Sequence, residues 1–266
     1  MLPRPDEAAV SLADVLASGL AAVAGEAGRI PLPPVRKALV LLADGLGQAA
    51  LRARAGHARR LTGRVGAGSA IRACFPATTS AAIASLATGV APGQHGIVGF
   101  TVRDPATGAV VKQLSGLDDV GDIAAWQRVP TLFERAAVAG LDAVAIGPER
   151  YRDSGFSRAV LRGARYLPAR TIDDRLGAAL DWLAEPGRGI GYLYAPELDV
   201  AAHEHGWQSG QWTARLEELD AAVGALERMP RDVGVLLTAD HGVLDVPAGA
   251  QILWRRDPAL AAGVAA

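Results

Sequence analysis

A chain of 266 residues with a net charge of −1 carries no excess of positive charge for nucleic acid or an anionic membrane surface. Half of its residues are hydrophobic and only 5% are aromatic, so the core must be built mainly from Ala, Val and Leu. The length suits one α/β domain over residues 1–266, and the single cysteine, Cys74, excludes an internal disulfide and predicts a reducing, cytoplasmic setting. Asp6 and Glu7 stand where a secretory signal would be basic, and Asp14 interrupts the apolar run from Ala8 to Ala24. No uncharged apolar stretch approaches the ~20 residues that span a bilayer, so no membrane partner is expected.

In chain order, the apolar spacing of Val10, Leu12, Val15, Leu16, Leu20 and Val23 predicts a helix over 7–24. Pro31, Pro33 and Pro34 form a stiff connector. Lys37 to Ala43 is a continuous apolar run of strand length, as expected of a strand buried on both faces, and it stops at Asp44-Gly45. A helix is predicted from Gln48 to Arg60. Pro76 then breaks the chain, Thr78, Thr79 and Ser80 offer capping hydroxyls, and an Ala/Ile/Leu run reads as a buried helix up to Gly89. Pro92 to Gly96 is turn-rich, and 97–101 with 109–113 read as a hairpin around Asp104-Pro105-Ala106-Thr107-Gly108. Thr131 to Ala139 is a helix closed by Gly140, and Leu141 to Ile146 another buried strand. The next twenty residues are basic, with Arg150, Arg152, Arg158, Arg162, Arg165 and Arg170 forming either a solvated face or a rim that attracts anions. Thr171 to Ala184 is a helix, Gly191 to Tyr194 a short strand, Gln208 to Arg228 a long helix, and Val233 to Thr238 the last buried strand. Helix and strand alternate throughout, which predicts a three-layer α/β/α sandwich with a mainly parallel central sheet.

Candidate chemistry gathers where these strands end. Asp44 follows one buried strand and Asp240-His241-Gly242 follows another, at the edge where open α/β sheets place their ligands. Asp-Gly is also an ordinary turn former. An adjacent Asp and His at a strand end are harder to explain as packing, because a buried charge is costly unless paired or metal-bound. Asp199 and His203 lie four apart, so on a helix both project from one face and can grip one ion; a solvated acid–imidazole pair is the plainer alternative. Carboxylates mixed with imidazoles fit Zn²⁺ or Mn²⁺ better than Mg²⁺. Several carboxylates converging on one sheet edge repel one another without cations, and a pair of ions would both relieve this and clamp a phosphoryl group. A threonine hydroxyl is a poor nucleophile at neutral pH, and Thr79, at a helix start, would need such an ion to attack.

Four segments carry a resemblance: VLLADGLG, FPATTSAAIASLATGVAPGQHGIVGF, YAPELDVAAHEHG and LLTADHG, in that order from about Ala38 to Gly242. Together they resemble the alkaline phosphatase superfamily, and within it the nucleotide pyrophosphatase/phosphodiesterase family. The resemblance implies an alkaline phosphatase-like fold and a ping-pong hydrolase of phosphodiester or pyrophosphate bonds in small molecules or nucleotides. It implies two zinc ions, one held by Asp44, Thr79, Asp240 and His241 and the other by Asp199 and His203. Thr79, nine residues before the Thr88-Gly89 pair, would be the nucleophile that becomes phosphorylated. Two positions depart from the family pattern. Ala82 stands where many members carry an asparagine that holds a phosphate oxygen, which leaves that task to backbone N–H groups or the metals. No histidine follows His241 in a chain ending at Ala266, although the family takes a third ligand for its second zinc from there. The expectation is therefore either a domain lacking its carboxyl-terminal part or a second metal that is weakly held or absent; His205, a conceivable stand-in, lies off the Asp199/His203 face. His95 sits in a family-typical turn and is expected to be structural, whereas His57 has no evident partner. Substrate selection would fall to an insertion at about 99–170. The same superfamily also offers a phosphomonoesterase or phosphate mutase, and a catalytically inactive phosphate-binding fragment is the remaining alternative.

Overall fold

The computed structural model describes residues 9–66 and 69–262. Five strands form one wholly parallel sheet: β1 (Lys37–Ala43), β4 (Asp142–Gly147), β5 (Arg165–Pro168), β6 (Gly189–Ala195) and β7 (Val233–Thr238), in the order β5-β4-β6-β1-β7. All seven positions of β1 are buried: Ala38 to Ala43 form an unbroken apolar run, and Lys37 at the strand's start donates to Trp182 O. Because side chains alternate along a strand, Ala38, Val40 and Leu42 enter one core and Leu39, Leu41 and Ala43 the other.

Helices cover both faces. The first core takes apolar residues from α1 (Ala13–Ala24), α3 (Thr79–Thr88), α4 (Leu132–Val138) and α5 (Gly155–Val160). The second takes Ala50 and Leu51 from α2 (Gln48–Ala53), with the inner faces of α6 (Ile172–Ala184), α7 (Glu197–His205) and α8 (Gly210–Val223). The predicted α/β layering is therefore the observed one. Along α8, Trp212, Leu216, Leu219 and Val223 recur at helical spacing and all are buried, each contributing about 1.5–3 kcal/mol of transfer free energy. Among the described residues, no helix is long and apolar enough to cross a membrane.

Several predicted boundaries move, for identifiable reasons. Residues 7 and 8 lie outside the described residues, and α1 begins only at Ala13. Ahead of it Val10 and Leu12 exchange backbone hydrogen bonds with Arg72, while the Asp14 carboxylate accepts from the Ser11 amide at 2.8 Å. The helix predicted over 48–60 breaks after Ala53 into a 3-10 turn (Ala55–His57) and a short turn (Arg59–Thr62). The break drives Ala58 and Leu61 inward, and Asp220 on α8 accepts the Leu61 amide at 2.8 Å. Ser209 caps α8 by accepting the Trp212 amide, and the helix tightens to 3-10 geometry from Gly224 to Arg228.

Between 99 and 170 only the first part stands outside the main sheet. There β2 (Thr101–Arg103) and β3 (Val110–Lys112) pair antiparallel, shorter than the predicted hairpin arms, around an Asp104 whose side chain accepts from Ala106 and Thr107. Strands β4 and β5, by contrast, belong to the central sheet. Within the basic stretch Arg152, Arg158, Arg162 and Arg165 pair with Glu149, Asp118, Glu134 and Asp142 at 3.1–3.5 Å, so most of it is knitted into local ion pairs.

His95 ends a single helical turn (Pro92–His95) and is buried. Its Nδ1 accepts the Ile97 amide at 3.1 Å, which places the ring proton on Nε2, 2.9 Å from the Ser85 hydroxyl. Burial holds its pKa down at about 4, against an ordinary 6.5. A histidine kept neutral in the fold takes a proton more readily once unfolded, so its contribution is lost as pH falls from 6.5 towards 4. Urea unfolding between pH 7 and 4 should lose about 3 kcal/mol through this group, and His95→Gln should flatten that part of the profile. Parallel profiles for the two proteins would rule the linkage out.

Candidate metal centre and nucleophile

Parallel register brings three strand ends level. Ala43 of β1 lies opposite Ala195 of β6, and Leu42 opposite Thr238 of β7. The chain leaving each end therefore emerges at one sheet edge: Asp44 after β1, α7 with Asp199 after β6, and Asp240-His241 after β7. The Asp44 amide continues the ladder by donating to Ala195 O at 2.9 Å, which ties this residue to the β6 end.

Two glycines let the loops meet. Gly45 has φ +72°, a left-handed conformation unfavourable to other residues, and a Cβ there would lie 3.1 Å from Asp199 Oδ1. Gly47 has an ordinary φ of −65° but passes so close to Gly242 that an added Cβ would sit 2.6 Å from its Cα. The two turns clasp backbone to backbone.

Each acidic group is then held by one oxygen. Asp240 is wholly buried, and its Oδ1 accepts the amides of Gly45 at 3.0 Å and His241 at 2.9 Å. Asp44 is 2% exposed, and its Oδ2 accepts the Tyr194 hydroxyl. The second oxygens, Asp240 Oδ2 and Asp44 Oδ1, have no hydrogen-bond partner, and neither has Asp199 Oδ1. His241 stands among them: its Nε2 lies 3.4 Å from Asp240 Oδ2 and 3.5 Å from Asp44 Oδ1. Its Nδ1 is 3.2 Å from the Gly242 carbonyl, an obligatory acceptor, so Nδ1 carries a proton and Nε2 is the ring nitrogen turned towards the cluster.

Two carboxylate oxygens and an imidazole nitrogen thus face one another. Burial, reinforced by the neighbouring Asp240 and Asp199 charges, raises the Asp44 pKa well above the ordinary carboxylate range. Asp199 is also raised, chiefly by burial, with the two nearby imidazoles pulling the other way. Asp44, Asp199 and His241 can each direct one ligand atom into a space where those atoms lie within 4.8 Å of one another. Unpartnered buried oxygens beside an imidazole nitrogen are a donor set that fits a divalent cation.

The nucleophile candidate faces this group. Thr78, not Thr79, caps α3, its Oγ1 accepting the Ala81 amide at 3.4 Å. Thr79, released from capping, puts Oγ1 3.2 Å from His241 Nε2. Next to it, buried Ser80 donates to Gly99 O at 2.8 Å and pins the helix start to the segment leading into the hairpin. His203 reaches the cluster only through Asp199, with Nε2 3.4 Å from its Oδ2, and its side chain is 79% exposed. His205 turns away to Glu204 at 3.6 Å. His57, which lacked a partner in the sequence, pairs with Glu217 at 2.8 Å on the surface. Tyr194 is the residue at this edge that sequence reading missed, because a tyrosine near a strand end reads as packing.

The fold belongs to a known class of protein. A model of the type I phosphodiesterase / nucleotide pyrophosphatase family matches residues 38–258, and the chain belongs to that family. A curated relative, an uncharacterized pyrophosphatase/phosphodiesterase of Schizosaccharomyces pombe, is 24% identical over 187 residues, 64% of this chain and 36% of its own length. Murine ectonucleotide pyrophosphatase/phosphodiesterase 5 shares the fold at a TM-score of 0.63 and 20% identity, over 83% of this chain and 61% of the murine one. An inactive variant of that murine protein, solved in complex with AMP, superposes with a TM-score of 0.64, at 20% identity and the same coverage. The chain therefore spans about a third of the curated relative's length and three fifths of the solved neighbours'.

The clasp is testable through stability. Gly47→Ala must push the two turns apart and should cost about 1–3 kcal/mol in urea unfolding. Gly56→Ala, where an added Cβ meets nothing within 4 Å, should be near neutral. Equal stabilities for the two variants would show that the turns are free to separate.

Proposed function

We propose that this chain carries the nucleophile and metal centre of a zinc-dependent hydrolase of phosphodiester or pyrophosphate bonds. The observation that carries the reading is the Thr79 hydroxyl, 3.2 Å from the His241 Nε2 nitrogen beside buried carboxylate oxygens that have no hydrogen-bond partner. Asp44, Asp240, His241 and Thr79 would hold one ion, and Asp199 with His203 a second. Mn²⁺ is the other metal this donor set suits. A bound ion supplies positive charge that favours the alkoxide form of the threonine and stabilises a phosphoryl oxygen. With only two side chains assigned to it, one of them exposed, the second site should be the weaker.

The protein's own residues set up the displacement. The Thr79 oxygen forms a bond to phosphorus as the bond to the leaving alcohol or nucleotide oxygen breaks. Its proton passes to the basic cluster, and the departing oxygen takes up a proton in turn. Water then cleaves the resulting phosphothreonine, restoring the hydroxyl and releasing a phosphate monoester. The start of α3 directs backbone N–H groups and the positive end of the helix dipole towards the phosphoryl group, which serves where Ala82 has no side-chain donor to offer. The AMP complex of the murine neighbour supports nucleotides as the substrate class.

A diester reading is favoured over a monoester one because four of the six arginines in the basic stretch, which could otherwise clamp a dianion, are engaged in ion pairs. Bis-p-nitrophenyl phosphate should therefore be turned over faster than p-nitrophenyl phosphate, and the reverse order would point to a phosphomonoesterase. Thr79→Ala should lower kcat on the diester by at least about a thousandfold, as removal of a nucleophile generally does, while the protein still takes up zinc. Chelation should abolish wild-type turnover and zinc should restore it. Full activity after exhaustive chelation would sink the metal assignment.

A further inference from the structure

The two buried carboxylates at the strand ends are held in the same manner by different donors. Asp240 has Oδ1 tied by the backbone amides of Gly45 and His241, which leaves Oδ2 unpartnered beside His241 Nε2. Asp44 has Oδ2 tied by the Tyr194 hydroxyl, which leaves Oδ1 unpartnered beside the same nitrogen. In both cases one oxygen is occupied by the protein and the other is presented to the cluster. For Asp240 the donors are main chain. For Asp44 the donor is one side chain that substitution can remove.

Building on the metal-centre reading above, we propose that Tyr194 is a positioning residue that fixes the Asp44 carboxylate so that Oδ1 alone is offered to the cation. The tyrosine is itself held in place. It is the penultimate residue of β6, opposite Leu42 of β1 and so beside the turn that carries Asp44. Its ring stacks on Tyr192 at 6.4 Å with an interplanar angle of 21°, and Tyr151 packs edge-on at 6.0 Å. Tyr192, two residues earlier on the same strand face, is a built-in comparison: it is buried among apolar side chains and its hydroxyl has no partner. Of the two hydroxyls on this strand face, the one of Tyr194 is engaged by a carboxylate. Without that donor, Asp44 is free to rotate and to share both oxygens, and ordering it becomes part of the free energy of metal binding.

The test is zinc affinity of the full chain, measured on metal-stripped protein by competition with a chromophoric chelator. Tyr194→Phe keeps both ring contacts and removes only the hydroxyl. It should keep the circular dichroism spectrum of the wild type and bind the tighter zinc about 10–100-fold more weakly, the usual effect of losing a partner that orients a ligand. Tyr192→Phe should bind zinc as the wild type does. A Tyr194→Phe protein with wild-type affinity overturns the positioning role and leaves the metal centre standing. Equal weakening in both variants also overturns it, because the effect would then come from general loosening of β6. A wild-type chain that takes up no zinc overturns the metal centre and this inference together.

Discussion

The structure depends on keeping like charges together. Asp44 and Asp240 each place an unpartnered oxygen within 3.5 Å of one imidazole nitrogen, and Asp199 adds a third nearby. At an effective dielectric constant near 20, two unit charges about 4 Å apart interact by about 4 kcal/mol. That is a large part of the ~5–15 kcal/mol that separates a folded domain from its unfolded chain. Such an arrangement is retained only if something relieves it. Protonation is one route, and the raised pKa values of Asp44 and Asp199 express it. A divalent cation is the other, and it turns the repulsion into a binding site.

What resists the repulsion is the sheet. β1 sits between β6 and β7 and is apolar on both faces, so its end cannot drift without opening two cores at once. The turns beyond the strands are fastened by main-chain donors and by the Gly47–Gly242 approach, both insensitive to side-chain disorder. Thr79 arrives from a separate helix in the opposite layer to α7. Its position is set by Thr78, which takes the cap, and by Ser80, which is bound to Gly99. A hydroxyl not used in capping is thereby free to face the cluster.

Residues of the same type prove to have different roles once packed. Of the five histidines, His241 lies in the cluster and His203 at its margin, while His95 is a buried donor and His57 and His205 pair with surface glutamates. Four of the arginines between 150 and 170 look in sequence like an anion-attracting rim, yet each is engaged by a nearby carboxylate. The reason is physical: an arginine finds whatever carboxylate the tertiary fold brings near, and sequence adjacency says little about which one that is.

By itself, the sequence determined the layering and the edge at which the site lies. Apolar runs of strand length such as 38–43 are those expected of strands buried on both faces, and acidic residues directly after such strands emerge at the carboxyl ends of the sheet. Local signals also placed the start of α3 and the Asp199/His203 pairing, because capping and i, i+4 geometry operate within one turn. The tertiary structure decided the rest. It broke the 48–60 helix to bury Ala58 and drew a fifth strand out of a basic stretch. It alone set Tyr194 against Asp44, since that contact joins residues 150 positions apart, and such pairings follow from strand register rather than from any pattern local to the chain.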